Sequence, residues 1–220
     1  MTEEEWLTST DEYPMVQYLE KQHLKKRMSD RKFRLIGLAC CGYPRDFCDP
    51  RLTALAAVIE RYAEGAASYG DVWSVREIAV AEPFTSGQEF TSYDREVLVL
   101  NRFSQRNGYE ALERFLFSLG ATLTEQDRGA WFDPGLWCEL IRDIVGNPFR
   151  PVKVEPGWLT STVGGLARGI YDERAFDRLP ILADALQDAG CDHPDVLNHC
   201  RSDGPHVRGC WVVDLLLGKT

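Results

Sequence analysis

Three of the four histidines and three of the seven cysteines gather near the end of the chain, as Cys191, His193, His199, Cys200, His206 and Cys210. Imidazole nitrogen and thiolate sulfur are donors that Zn²⁺ takes in tetrahedral sites. The candidate ligand set is Cys191, His199, His206 and Cys210, with Cys200 as an alternative to His199. His206 and Cys210 stand at i and i+4, a spacing that presents both from one helix face. Cys191 and His199 complete four if the short helix between them folds back. The spacing matches no standard zinc module, and there is no C-x-x-C pair. Cys200 and Cys210 also fall on apolar faces, where free cysteine packs as a small hydrophobe. Buried thiols are therefore the favoured reading, with no cofactor required, and zinc is the sharper alternative.

The same stretch invites a nucleophilic triad of His206, Cys210 and Asp214. On a helix Cys210 would lie between the other two, whereas the chemistry needs the base in the middle. The order is wrong, so no catalytic residue is assigned, and an enzyme using this cluster is the least supported reading. It would require Cys210 to be a reactive thiol. Elsewhere the chemistry thins out. Cys40-Cys41 with Cys48 suits packing better than chelation, because Cys40 lies on a core stripe. Glu139 and Asp143 are one helical turn apart with Arg142 between them, the pattern of a solvated face rather than an acid–base pair. Gly164-Gly165-Leu166-Ala167-Arg168-Gly169 lacks the Lys-Ser/Thr ending of a phosphate loop. Neither H-E-x-x-H nor G-x-S-x-G nor a dinucleotide fingerprint occurs.

The elements that must position these residues are helical. Thr2 with Glu5 is a capping box for a first short helix carrying Trp6 and Leu7. Ser29 caps a helix with Phe33, Ile36, Gly37 and Cys40 on one face, ending near Cys41. Asp49-Pro50 starts the clearest helix, with Leu52, Leu55, Ala56, Ile59, Tyr62 and Ala63 inward and Gly65 at its end. Asp71 to Ala81 and Tyr93 to Phe103 suit further helices, although Val97-Leu98-Val99-Leu100 also fits a short buried strand. Leu112, Phe115, Leu116 and Leu119 form another stripe. Asp133-Pro134 repeats the cap-and-proline start, with Trp137, Leu140, Ile141 and Ile144 buried up to Gly146.

Pro148, Pro151 and Pro156 then impose extended backbone, which marks a boundary between lobes 1–146 and 147–220. Beyond it, Leu159 to Tyr171 suits a helix whose Gly165 and Gly169 allow close backbone approach. Pro180 starts a helix with Ile181, Leu182, Ala185, Leu186 and Ala189 inward and Gly190 at its end. Pro194 starts a short one with Val196, Leu197 and Cys200 inward. Val207 to Leu217 is apolar nearly all round, a buried element read as helix, with a buried strand as the alternative.

Composition bounds the function. A chain of 220 residues that is 44% hydrophobic and 27% charged buries a sizeable core. No apolar run reaches the roughly 18 residues of a membrane span. The acidic start and the odd cysteine count point to the cytoplasm and to free thiols. A net charge of −9 argues against nucleic acid as a partner. Lys21, Lys25, Lys26, Arg27, Arg31, Lys32 and Arg34 cluster within 14 residues. They suit a solvated linker and helix start rather than an anion-binding patch.

Both ends of the chain carry recurring motifs. At the front these are Met1-Thr2-Glu3-Glu4-Glu5-Trp6-Leu7, Ser29-Asp30-Arg31-Lys32-Phe33-Arg34-Leu35 and Ala39-Cys40-Cys41. At the back they are Gly146-Asn147-Pro148-Phe149-Arg150-Pro151-Val152, Glu173-Arg174-Ala175-Phe176-Asp177-Arg178-Leu179-Pro180 and Gly204-Pro205-His206-Val207-Arg208-Gly209-Cys210-Trp211-Val212-Val213-Asp214-Leu215-Leu216-Leu217-Gly218-Lys219. Over residues 1–65 and 138–220 the chain resembles an expanded family of uncharacterised bacterial proteins, to which no activity is assigned. The middle departs from the family's Ala-rich helical sequence, and Gly42-Tyr43 stands where the family carries basic residues after its cysteine pair.

The expected molecule is a mainly α-helical protein of two packed helical lobes joined by a Pro-rich connection. Without a catalytic signature, and with six Trp, eight Tyr and ten Phe, the expected role is a non-enzymatic protein-interaction module with a protein partner. The alternative is a zinc-stabilised binding domain built on Cys191, His199, His206 and Cys210.

Overall fold

Capping side chains set the helix starts. In the computed structural model, Thr2 Oγ1 accepts the Glu5 N–H at 3.2 Å and Glu5 Oε2 accepts the Thr2 N–H at 2.7 Å. This reciprocal pair satisfies two amides that a helix start leaves unpaired. It opens α1 (Glu3–Thr8). The structure describes residues 1–24, 28–42, 49–79, 100–101, 104 and 133–219. Ten α-helices and no strand occur among them, which makes the fold mainly α. The expected helices over Tyr93–Phe103 and Leu112–Leu119 lie outside the described residues, wholly or nearly so, as do Lys25, Lys26, Arg27 and Cys48. No helix among the described residues is long and apolar enough to cross a membrane.

The chain divides into two units, Met1–Glu12 with Gly135–Thr220, and Tyr13–Pro134. The second interrupts the first in sequence. It holds nearly all of α2 (Glu12–Leu24), and α3 (Asp30–Cys40), α4 (Pro50–Ala63) and α5 (Tyr69–Ala79), with α4 packed against both α3 and α5. Ser29 caps α3, and Asp49 caps α4 ahead of Pro50, as their sequence predicts. The basic stretch is less solvated than expected. Arg34 is 2% exposed, with its guanidinium 4.7 Å from the Tyr62 ring centroid, and Arg31 pairs with Glu64 at 3.0 Å. Their helix turns both inward, where a ring face and a carboxylate replace water.

The first unit contains α1, α6 (Pro134–Val145, from Gly135), α7 (Ser161–Glu173), α8 (Leu179–Asp188), α9 (Pro194–Arg201) and α10 (Trp211–Leu217). α7 packs on α8 and α10, and α8 packs on α9. Their core includes Val163, Ile170, Leu182, Leu186, Val196 and Val213. Ile181, expected inward, is exposed, while Ala183 takes a buried place. An added Cβ at Gly165 or Gly169 would meet nothing within 4 Å, so the expected close approach along α7 does not occur.

The expected boundary after residue 146 falls inside this unit. The fully buried Trp6 donates its indole N–H to the Gly146 carbonyl at 3.1 Å. Arg142 Nε donates to the Trp6 carbonyl at 2.9 Å, and Arg142 Nη2 donates to the Ser9 carbonyl. Glu3 accepts from Asn147 at 2.7 Å and pairs with Arg150 at 2.6 Å. The Arg142 donations cap the carboxyl end of α1, and all these contacts bind the helix to residues 142–150. Downstream, a 3-10 turn (Pro156–Trp158) returns the proline-rich segment to the core by burying Trp158.

Candidate metal centre

Asp143, His199, His206 and Cys210 place one potential ligand atom each within 4.8 Å of the others. They come from three places: α6, the last turn of α9, and the 202–210 segment that leads into α10. The sequence-derived set is thus partly assembled. His199, His206 and Cys210 converge, Cys191 does not, and Asp143 takes the fourth place.

Asp143 is the hub. Its side chain is 3% exposed. Oδ1 lies 2.7 Å from His206 Nδ1 and 3.2 Å from His199 Nε2, and Oδ2 accepts the Val207 N–H at 2.9 Å. Burial alone would raise its pKa. The hydrogen bonds from His199 and His206, with their charges, outweigh burial and hold the carboxyl below its ordinary value of 3.8. Burial likewise works against the His206 imidazolium, but the Asp143 hydrogen bond and charge raise its pKa above the ordinary 6.5.

The two rings are held differently. His206 Nε2 faces the Ser202 carbonyl at 3.2 Å and so carries a hydrogen, which directs Nδ1 toward the cluster. An imidazole that donates its outer N–H to a carbonyl while its other nitrogen faces a metal position is a common outer-shell arrangement. His199 Nε2 lies 3.1 Å from Cys210 Sγ as well as 3.2 Å from Asp143 Oδ1. One hydrogen on that nitrogen cannot serve both neighbours well; a cation among the three can. Aromatic rings wall the cluster, with His199 4.8 Å from His206 and 5.2 Å from Trp211, centroid to centroid.

This geometry does not make a proton relay. His199 does lie between a thiol and a carboxylate, the order a triad needs, but it meets both through Nε2. A relay uses the two ring nitrogens separately. The Cys210 thiol is fully buried and its pKa is raised well above 9.0 by that burial, with the Asp143 charge adding to it, which opposes the thiolate a nucleophile needs. The donors do suit a metal. Ligand–ligand edges in a tetrahedral Zn site run roughly 3.3–3.7 Å for Zn–N near 2.0 and Zn–S near 2.3 Å. The close pairs, at 2.7, 3.1 and 3.2 Å, would open by at most about 0.6 Å, and the widest, at up to 4.8 Å, would close by about 1–1.5 Å.

Three expectations are corrected here. Asp143 is not on a solvated face; only Glu139 is. Asp143 lies roughly 60° around α6 from Leu140, at the edge of the apolar stripe, and that edge position was the available signal. His206 and Cys210 do not share a helix face, because α10 begins at Trp211 with Cys210 as its N-cap residue. The buried run from Val207 is a turn first, with the Cys210 N–H donating to the Val207 carbonyl at 2.9 Å.

Cys191 has a structural role. Gly190, at φ +87°, donates its N–H to the Gln187 carbonyl, and Cys191 donates its own to the Leu186 carbonyl at 2.9 Å. This is a Schellman ending of α8, in which the residue after the glycine packs an apolar side chain back on the helix. Cys191 and Leu186 are both in the core cluster. Burial raises the Cys191 pKa, and it pushes that of the core residue Cys200 to about 12. No disulfide joins the six described cysteines.

Compared with protein-family models, curated proteins and solved structures, the chain matches none, so the chemistry of the centre rests on its geometry.

Proposed function

We propose that the first unit is a zinc-stabilised domain in which Asp143, His199, His206 and Cys210 hold one Zn²⁺. The observation that carries this reading is the placement of four donors from three chain segments within 4.8 Å of one another. One thiolate, two imidazoles and one carboxylate form a borderline-soft set that favours zinc over magnesium or calcium. Four protein donors fill a tetrahedral shell, and catalytic zinc sites usually keep one position for water. The role is therefore structural: the ion ties the 202–210 segment and α9 to α6.

Elemental analysis of the full chain, purified with zinc and then desalted, tests it. One zinc per chain is expected, and Cys210→Ser or Asp143→Asn should reduce it sharply. Zinc far below one equivalent in folded wild-type protein would mean that the cluster is a hydrogen-bonded core network only.

A second reading, binding to a protein partner, draws on α5. There Trp73 is 45% and Ile78 64% exposed, and tryptophan is a frequent anchor at interfaces. Partners cross-linked to wild-type protein and retained in full by Trp73→Ala would count against this face.

A further inference from the structure

The residues that hold α1 are interleaved along α6 with those that hold the proposed zinc. Arg142 donates to the Trp6 and Ser9 carbonyls at the carboxyl end of α1. Its chain neighbour Asp143 is the hub of the metal cluster. Consecutive residues of one helix rise about 1.5 Å and move as a body, so displacing Arg142 displaces Asp143.

A second path runs through Gly146. Its carbonyl accepts the Trp6 indole N–H, and its Cα lies against Trp211, where an added Cβ would stand 3.0 Å from ring atoms Cγ and Cδ2. Trp211 in turn packs on His199, at 5.2 Å between centroids. From Trp6 to a proposed ligand, each step is a tight contact.

We infer that zinc binding and docking of the N-terminal helix are coupled, so that the metal acts as a lock on residues 1–9 and those residues tune metal affinity. The inference rests on the zinc reading above. α1 and α6 are separated in the chain by residues 9–133, and bringing such distant segments together opposes docking through loop-closure entropy. A six-residue helix also has little stability of its own. α1 is thus the piece of the first unit most dependent on its contacts, and a bound ion that steadies α6 and Trp211 favours the docked state. Trp6 and Arg142 are positioning residues, acting on the centre through Gly146 and Asp143. Linkage makes the effect reciprocal: whatever factor zinc adds to docking, docking adds to zinc affinity.

The test uses the full chain, with amide hydrogen exchange read for residues 3–9 in the zinc-loaded and chelator-treated protein. Zinc affinity is measured separately by competition with a chromophoric chelator. Zinc is expected to slow exchange of residues 3–9 by about tenfold while leaving α4 unchanged. Trp6→Phe, which keeps an aromatic, smaller side chain and removes the donor to Gly146, is expected to weaken zinc binding by a similar factor and to shrink the zinc-dependent protection. Arg142→Lys, which keeps charge but loses the two-pronged donation, is the second variant should the first not fold.

A purely structural role for Trp6 would lower stability without changing the zinc affinity of the folded protein. One equivalent of zinc bound, with equal exchange in both states and wild-type affinity in both variants, overturns the coupling and leaves the metal site standing. Absence of stoichiometric zinc removes both, and the metal assay alone reports that outcome.

Discussion

The two units bury charge in opposite ways. In the second, Arg34 is buried in the core with its guanidinium against the Tyr62 ring. Desolvation by burial lowers its pKa, and the nearby Tyr62 and Asp30 only partly offset that effect. In the first, Asp143 enters the core with two imidazoles and a backbone amide bonded to its oxygens, and its pKa is lowered because those donors outweigh burial. Burial works against the charged form at both sites, but only at Asp143 do the partners overcome it. A guanidinium, a donor only, offers no lone pairs to a cation. A carboxylate gathered with imidazoles and a thiol leaves several donor atoms aimed at one point, and only that arrangement can hold a cation. The comparison teaches that the partners of a buried charge, more than its burial, separate a packing device from a candidate site.

The comparison can be broken most directly at Asp143. Asp143→Ala strands His206, His199 and the Val207 N–H together, and removal of one member of a buried charged network typically costs about 3–5 kcal/mol. Urea unfolding should show a loss in that range; a loss under 1 kcal/mol would mean that the imidazoles and the Val207 amide do not depend on Asp143.

Zinc should give the next largest effect. At free zinc a thousandfold above Kd, linkage adds about 4 kcal/mol of stability. Calorimetric scans with and without zinc should show the increase in wild type and in Cys191→Ala, but not in Cys210→Ser. Equal zinc responses in the two cysteine variants would contradict the assignment of Cys210 as ligand and Cys191 as core.

Protonation removes part of the same network in chelator-treated protein. The Asp143 contribution is complete above its ordinary value of 3.8 and is lost as pH falls through its lower folded value. The His206 contribution is complete below 6.5 and is lost as pH rises through its higher folded value. The pair therefore contributes most between about pH 4 and 6.5. Stability measured across this range should form a plateau that flattens in Asp143→Ala; an unchanged profile would separate the pair from stability.

Smaller still is a difference between two glycines of similar backbone. Gly65 in the second unit has φ +71° and free space for a Cβ, whereas Gly146 in the first has φ +74° and a Trp211 contact at 3.0 Å. Gly65→Ala should cost about 1 kcal/mol from backbone strain, and Gly146→Ala about 2–3 kcal/mol, because overpacking is added. Equal losses would show that the Trp211 ring yields freely.

Much of the fold was legible residue by residue. Thr2 with Glu5, Ser29, and Asp49 with Pro50 announce helix starts through bonds made within three residues, and the structure has all of them. Of the site, three of four members were readable from residue type. The fourth was not, because an aspartate at the edge of an apolar stripe looks the same whether it faces water or two imidazoles that arrive 56 and 63 residues later. Cys191 misled for the converse reason: its chemistry suggests a ligand, while the preceding glycine, read as a helix stop, already implied a packed Schellman position.

By itself, the sequence determined the helical class, most described helix boundaries and the crowding of zinc-type donors near the carboxyl end. Those properties arise from interactions over a few residues, which local spacing encodes. Only the tertiary structure decided that Asp143 completes the cluster, that Cys191 leaves it, and that Trp6 closes the first unit across the intervening residues 13–134. Such pairings depend on where whole helices come to rest, and that is set by the summed packing of the core rather than by any one motif.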